Sequence, residues 1–308
     1  MSLIFNGTDI KEVVYNGTIL DKVIYNGVTV FEKIVVVEGA IEGTLGLFYG
    51  GYGSIPVNTV TRINSSGARV GTETGVGTAR NSLAGANVGG NGLFYGSSNK
   101  VTRINSNGAM VGTETAVGTA REYLAGANVG GNGLFYGGSN QNKVTRINSN
   151  GAIVGAETGV GTARQALAGA NVGGNGLFYG GSFQNKVTRI DSNGAIVGTE
   201  TDVGTARAYL AGAHVGGNGL FYGGYNGISN FNKVTRINSN GAMIGAETAV
   251  GTVRRNLAGA NVGGNGLFYA GYTSSSLNTV TRINSGGAIV GAETVVGTAR
   301  FGLAGAGL

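Results

Sequence analysis

The chain has 308 residues, a net charge of +6 with only 12% charged residues, 62 glycines, one proline and no cysteine. That length fits one large domain with a small appendage, and the missing cysteines exclude disulfides, thiol catalysis and zinc–thiolate sites. No run is long and apolar enough to span a bilayer, and the opening MSLIFNGTDI lacks the basic and then apolar regions of a secretion signal, so neither membrane insertion nor a signal peptide is expected.

Residues 1–33 repeat with a period of ten: Ile4-Phe5-Asn6-Gly7-Thr8, Val14-Tyr15-Asn16-Gly17-Thr18 and Ile24-Tyr25-Asn26-Gly27-Val28. Asn-Gly between β-branched and aromatic residues is a strong hairpin signal, because both turn positions need positive φ. A small β-meander is predicted, too short to be stable alone and therefore expected to dock on a larger body. Tandem F/Y-N-G-T segments of this kind resemble amino-terminal segments of tail structural proteins in bacteriophages and prophages of Gram-positive hosts. The resemblance covers about thirty residues. It implies attachment to other virion or tail proteins through residues 1–33, in multiple copies per particle, and a place on the virion.

Residues 34–45 read as an apolar strand, Ile34-Val35-Val36-Val37, and a Gly-rich linker. From residue 46 onward one unit recurs six times. Its Leu-Phe-Tyr core begins at Leu47, Leu93, Leu134, Leu177, Leu220 and Leu267, spaced from 41 residues (Leu93 to Leu134) to 47 (Leu220 to Leu267). Periods in this range mark propeller blades or solenoid units. In the third copy the predicted strands are 124–129, 134–136, 143–148 and 152–160, with glycine-rich turns between them. Four short strands per unit make the protein all-β and point to a six-bladed β-propeller. Small residues in Leu-Ala-Gly-Ala suit an inner strand near the axis, and Leu-Phe-Tyr suits packing between blades.

The aromatic strand, the double glycine (Gly50-Gly51, Gly137-Gly138, Gly180-Gly181, Gly223-Gly224) and a later arginine resemble the kelch repeat. Gly96-Ser97 and Ala270-Gly271 depart from it, and the tryptophan usual in the last kelch strand is missing. The first copy lacks an inner strand, whereas the chain ends with an unpaired one, Leu303-Ala304-Gly305-Ala306. That carboxy-terminal strand is expected to complete the first blade and close the ring, removing an open edge.

Each copy carries two arginines and one glutamate, so six copies account for the whole net charge. A charge spread this evenly is not the basic stripe of a nucleic-acid binder. The pairs Glu73 and Arg80, Glu114 and Arg121, Glu157 and Arg164, Glu200 and Arg207, Glu247 and Arg254, and Glu293 and Arg300 each lie seven residues apart. They read as structural ion pairs linking neighbouring strands or blades; a ring of arginines binding an anion at a channel mouth is the alternative. His214, Asp191 and Asp202 are lone variants of the repeat. No metal site, cofactor site or catalytic constellation is found, and no enzymatic activity is expected.

Variation between copies concentrates in two places: the loop between the second and third strands, and the residue pair after the recurrent arginine. Alternating strand direction puts both on one face. Tyr52, Phe183, Tyr225, Phe231 and Tyr272, with Tyr123 and Tyr209 nearer the axis, are the candidate ligand-binding residues, because loops on a rigid scaffold are where recognition concentrates. The expected function is a non-enzymatic phage or phage-like tail fibre or baseplate protein whose propeller binds a host-surface glycan or protein. The alternative is a purely structural virion protein, in a baseplate or as capsid decoration, whose propeller contacts neighbouring subunits.

Overall fold

The structure, a computed structural model, describes residues 44–308 and, ahead of them, the backbone of six short strands. Those strands form three hairpins: Ile4–Phe5 with Thr8–Asp9, Val14–Tyr15 with Thr18–Ile19, and Lys22–Tyr25 with Val28–Glu32. Among the described residues every pairing stays within one hairpin, each spanning an Asn-Gly, so the expected meander is realised as three separate hairpins. The strand predicted at 34–37 lies outside the described residues. By compactness the chain divides into a unit over 1–41 and a second over 42–308.

The second unit is a six-bladed β-propeller of four-stranded antiparallel sheets. In the third blade the strands run Ala125–Val129, Asn132–Tyr136, Gln141–Ile147 and Thr158–Arg164, from the inside outward. The first blade takes its inner strand, Ala304–Gly307, from the end of the chain, pairing Ala304 with Tyr49 and Ala306 with Leu47. Reciprocal backbone bonds between Leu45 and Leu308 complete the seam. Closure gives the first blade the same four strands as the other five.

The outer strand is shorter than the sequence suggests. Before regular pairing starts at Thr158, the expected span 152–160 makes the bridge from Ile153 to Ile147 and the backbone bonds Asn148 N–H to Ala152 O and Val154 N–H to Arg146 O. Gly155, at φ +68°, breaks the extended run between them. The bend lets Glu157 turn inward instead of continuing the strand's alternation.

Between blades the core is built from one repeated contact. The Tyr of each Leu-Phe-Tyr packs on the Phe of the next blade, with ring centroids 5.2–5.3 Å apart in all six interfaces, the last joining Tyr269 to Phe48. These rings are fully buried, and burying each contributes about 1.5–3 kcal/mol. Around the axis the inner strands approach to backbone contact. A Cβ on Gly126 would lie 2.6 Å from Gly85 O, one on Gly169 2.6 Å from Gly126 O, and one on Gly305 2.5 Å from Gly259 O. The six equivalent glycines therefore form a closed circle in which only a hydrogen side chain fits.

Candidate functional site

The recurrent arginines are buried between blades, 0–3% exposed, and so cannot form an anion-binding ring at a channel mouth. Arg121 lies on the connection from the second blade to the third. Its Nη1 donates to Gly137 O (2.6 Å) and Lys143 O (2.8 Å), and its Nη2 donates to Thr145 Oγ1. Its guanidinium also covers the Tyr95 ring at 5.9 Å. The carboxylate facing it is Glu157, at 3.8 Å. Glu157 in turn accepts from Thr145 Oγ1, Thr119 N (3.1 Å) and Thr119 Oγ1 (2.5 Å).

The same arrangement recurs as Arg80 with Glu114, Arg164 with Glu200, Arg207 with Glu247 and, across the seam, Arg300 with Glu73. In the sixth copy Arg254 donates to Thr281, and Thr281 to Glu293. Each glutamate thus faces the arginine of the preceding copy, not the one seven residues ahead. The two charges of one copy serve opposite faces of their blade. Burial alone would raise the Glu114 and Glu247 carboxyls, but hydrogen bonds from two threonines and the neighbouring guanidinium hold them down at about 2. Every such arginine leaves its Nε without a hydrogen-bond partner.

The arginines of Val-Thr-Arg-Ile lie in the third strand of each blade, half-buried, and Arg103 and Arg146 donate to Ser149 O and Ser192 O of the following blade (3.3 and 3.4 Å). Asp191 accepts from Asn193 N and Ala195 N as the equivalent asparagines do, and Asp202 pairs with Lys186 at 3.5 Å, so both variants have structural partners. His214 occupies the asparagine position of its inner strand, opposite Gly219. Among the described residues no cluster of three or more His, Asp or Glu could hold a metal ion.

The two variable segments do meet on one face. Antiparallel bridges join Ala208 to Tyr225, Arg255 to Tyr272 and Phe301 to Tyr52. At the axis the second residue of each variable pair forms a closed circle of backbone bonds. Tyr123 N donates to Ser82 O, Ala166 N to Tyr123 O, Tyr209 N to Ala166 O, Asn256 N to Tyr209 O, Gly302 N to Asn256 O and Ser82 N to Gly302 O, all 2.7–2.8 Å. All six have φ between 54° and 65°, a conformation costing a non-glycine residue about 1–2 kcal/mol. Because the ring uses backbone alone, its side chains are free to differ.

Tyr123 and Tyr209 project from this ring and meet edge to face, centroids 5.6 Å apart, over a small cavity of about 60 Å³ at the axial mouth. Burial raises the Tyr209 hydroxyl pKa, Tyr123 adds to the rise and Arg255 opposes it.

Outside this centre an arc runs over four consecutive blades. Phe183 contacts Tyr225 at 6.1 Å, and the Arg255 guanidinium lies between Tyr225 (4.3 Å) and Tyr272 (5.4 Å). Phe301 contacts both Tyr272 (5.3 Å) and Tyr52 (5.5 Å). Phe183 is 47% exposed and the others are partly so. Tyr225 donates to Gly227 O, whereas the hydroxyls of Tyr52, Tyr123, Tyr209 and Tyr272 make no hydrogen bond among the described residues.

Of the seven residues expected from the sequence, four join the arc and two the axial mouth. Phe231 stands apart, its ring 5.6 Å from Lys233 Nζ. Sequence variation alone misses Arg255 and Phe301, although both sit in the variable pair that signals the others. They become visible as site residues only once blades five, six and one are brought side by side. No protein-family model matches the chain, and no curated protein matches its sequence significantly.

Proposed function

We propose that the protein is a non-enzymatic receptor-binding component of a bacteriophage or phage-like tail. Its kelch-like propeller holds a host-surface glycan or protein on the variable face, and residues 1–33 attach it to other tail proteins. The observation that carries this reading is the aromatic arc. Phe183, Tyr225, Tyr272, Phe301 and Tyr52 are contributed by four blades at positions that the repeat does not require, and they hold partly exposed rings on a rigid frame. Aromatic faces with free hydroxyls suit both sugar rings and protein surfaces. The attachment role rests on the F/Y-N-G-T resemblance alone, and the kelch relation on the double glycines and the later arginine.

A purely structural virion role is favoured by a different feature. Met110, Ile153, Ile196, Met243 and Ile289 stand at equivalent places around the propeller, each 37–38% exposed, which would suit contact with neighbouring subunits. The deciding experiment measures binding of the purified full chain to intact bacterial cells and cell-wall glycans, beside the triple variant Tyr225→Ala, Tyr272→Ala, Phe301→Ala. Saturable binding lost in a folded triple variant supports the receptor reading. No binding by wild type, even when multimerised for avidity, rejects it in favour of the structural role.

A further inference from the structure

Resting on that receptor reading, we infer that the ligand of the arc is an acidic saccharide, its anionic group taken by Arg255 and its sugar rings stacked on Tyr225 and Tyr272. Among the described arginines Arg255 alone has its guanidinium against two tyrosine rings. The six recurrent arginines between blades are consumed by threonines, backbone carbonyls and glutamates, whereas the Arg255 guanidinium makes no hydrogen bond or ion pair among the described residues. Only tyrosine faces hold it, at 4.3 and 5.4 Å.

Contact with ring faces holds a guanidinium without using its N–H donors, which stay available to a ligand. A planar fork held in place this way is suited to carboxylate or phosphate, which accept two parallel N–H bonds. The surroundings supply no competing anion. The loops 52–57, 225–231 and 272–277, and the connections at 208–209, 255–256 and 301–302, contain no Asp or Glu. Glu122, the nearest acidic residue in an equivalent position, lies on the connection into the third blade, opposite the sixth.

The flanking chemistry favours a saccharide over a bare anion. The arc continues on both sides of Arg255, to Phe183 one way and to Phe301 and Tyr52 the other, so apolar faces extend beyond the charge. The free hydroxyl of Tyr272 beside the guanidinium offers a hydrogen bond to a sugar hydroxyl.

The test titrates the full chain with three oligosaccharides of equal length: a neutral gluco-oligosaccharide, an oligogalacturonate, and a phosphorylated gluco-oligosaccharide. Wild type, R255Q and R255K are compared, each with its melting temperature recorded to verify folding. Binding of either acidic ligand at least about tenfold tighter than the neutral one, lost in R255Q and partly kept in R255K, supports the inference. Whichever acidic ligand is preferred identifies the anion. Equal affinity for the neutral and acidic ligands, or affinity unchanged in folded R255Q, overturns it while leaving the receptor reading intact. Binding to cells without binding to any of the three sugars also overturns it and points to a protein receptor. Absence of binding to cells and sugars alike overturns both.

Discussion

The circle of inner-strand glycines makes a sharp prediction for Gly169→Ala. Its backbone is not in the left-handed region, so alanine meets no conformational objection, and the whole penalty is spatial. The new Cβ would stand 2.6 Å from Gly126 O and 2.9 Å from Phe178 Cε1, well inside the ordinary contact distance of 3.4 Å. Neither neighbour yields easily. Gly126 O belongs to the backbone of the adjoining blade, and Phe178 is fully buried against Tyr136. Separating blades three and four would also stretch the axial bond from Ala166 N to Tyr123 O, now 2.7 Å. The cost should reach the upper end for an overpacked core, about 3 kcal/mol, which lowers Tm by roughly 6–12 °C in a domain of this size.

Gly174→Ala is the matched control. Gly174 has φ +77° and no neighbour within 4 Å of the place its Cβ would take, so its penalty is conformational alone. That costs about 1 kcal/mol and roughly 2–4 °C. Calorimetry and urea titration of the two variants beside wild type read the difference. An equal or smaller loss for Gly169→Ala than for Gly174→Ala would refute the close approach of inner strands.

The interblade networks make further predictions. Glu157→Ala leaves Arg121 buried without its carboxylate and should cost about 3–5 kcal/mol, whereas Asp202→Ala, which removes an exposed partner of Lys186, should cost less than about 1 kcal/mol; urea midpoints at constant m-value check both. The six glutamates that face the interblade arginines titrate below their ordinary value of 4.5 in the folded state. Their stabilisation is therefore complete above about pH 4.5 and lost as pH falls through the folded values, near 2 for Glu114 and Glu247. Melting temperature should fall steadily across that window, and a flat profile from about pH 5 to 2 would contradict the assignment. Deleting residues 301–308 removes the inner strand of the first blade and should cost more than any single substitution, about 4–5 kcal/mol or beyond, with association through the freed edge visible by light scattering.

Much of the fold is legible in the residues because each instruction is local or periodic. The Leu-Phe-Tyr spacing announces the blades, the small residues of Leu-Ala-Gly-Ala announce the inner strand, and the incomplete first copy announces the closing strand at 304–307. The outer strand is overestimated from sequence because Ala152 to Val160 looks extended residue by residue, and only Gly155 at positive φ betrays the bend. For the candidate site, variation between copies points to one face, and six of the seven residues it names lie in the arc or at the axial mouth. It cannot rank them, so it includes Phe231 and omits Arg255 and Phe301.

What the sequence by itself determines here is the repeat and everything one copy encodes: strand order, turn chemistry, the faces that vary and the number of blades. Relations between copies are decided by the tertiary structure, because near-identical units cannot specify which neighbour a side chain will meet. The pairing of Glu157 with Arg121 rather than Arg164 depends on the two faces of a blade looking in opposite directions. The backbone ring from Ser82 to Gly302 exists only when six blades close on one axis. The arc through Arg255 likewise joins residues from both ends of the propeller, Tyr52 and Phe301 among them, which ring closure brings within 5.5 Å.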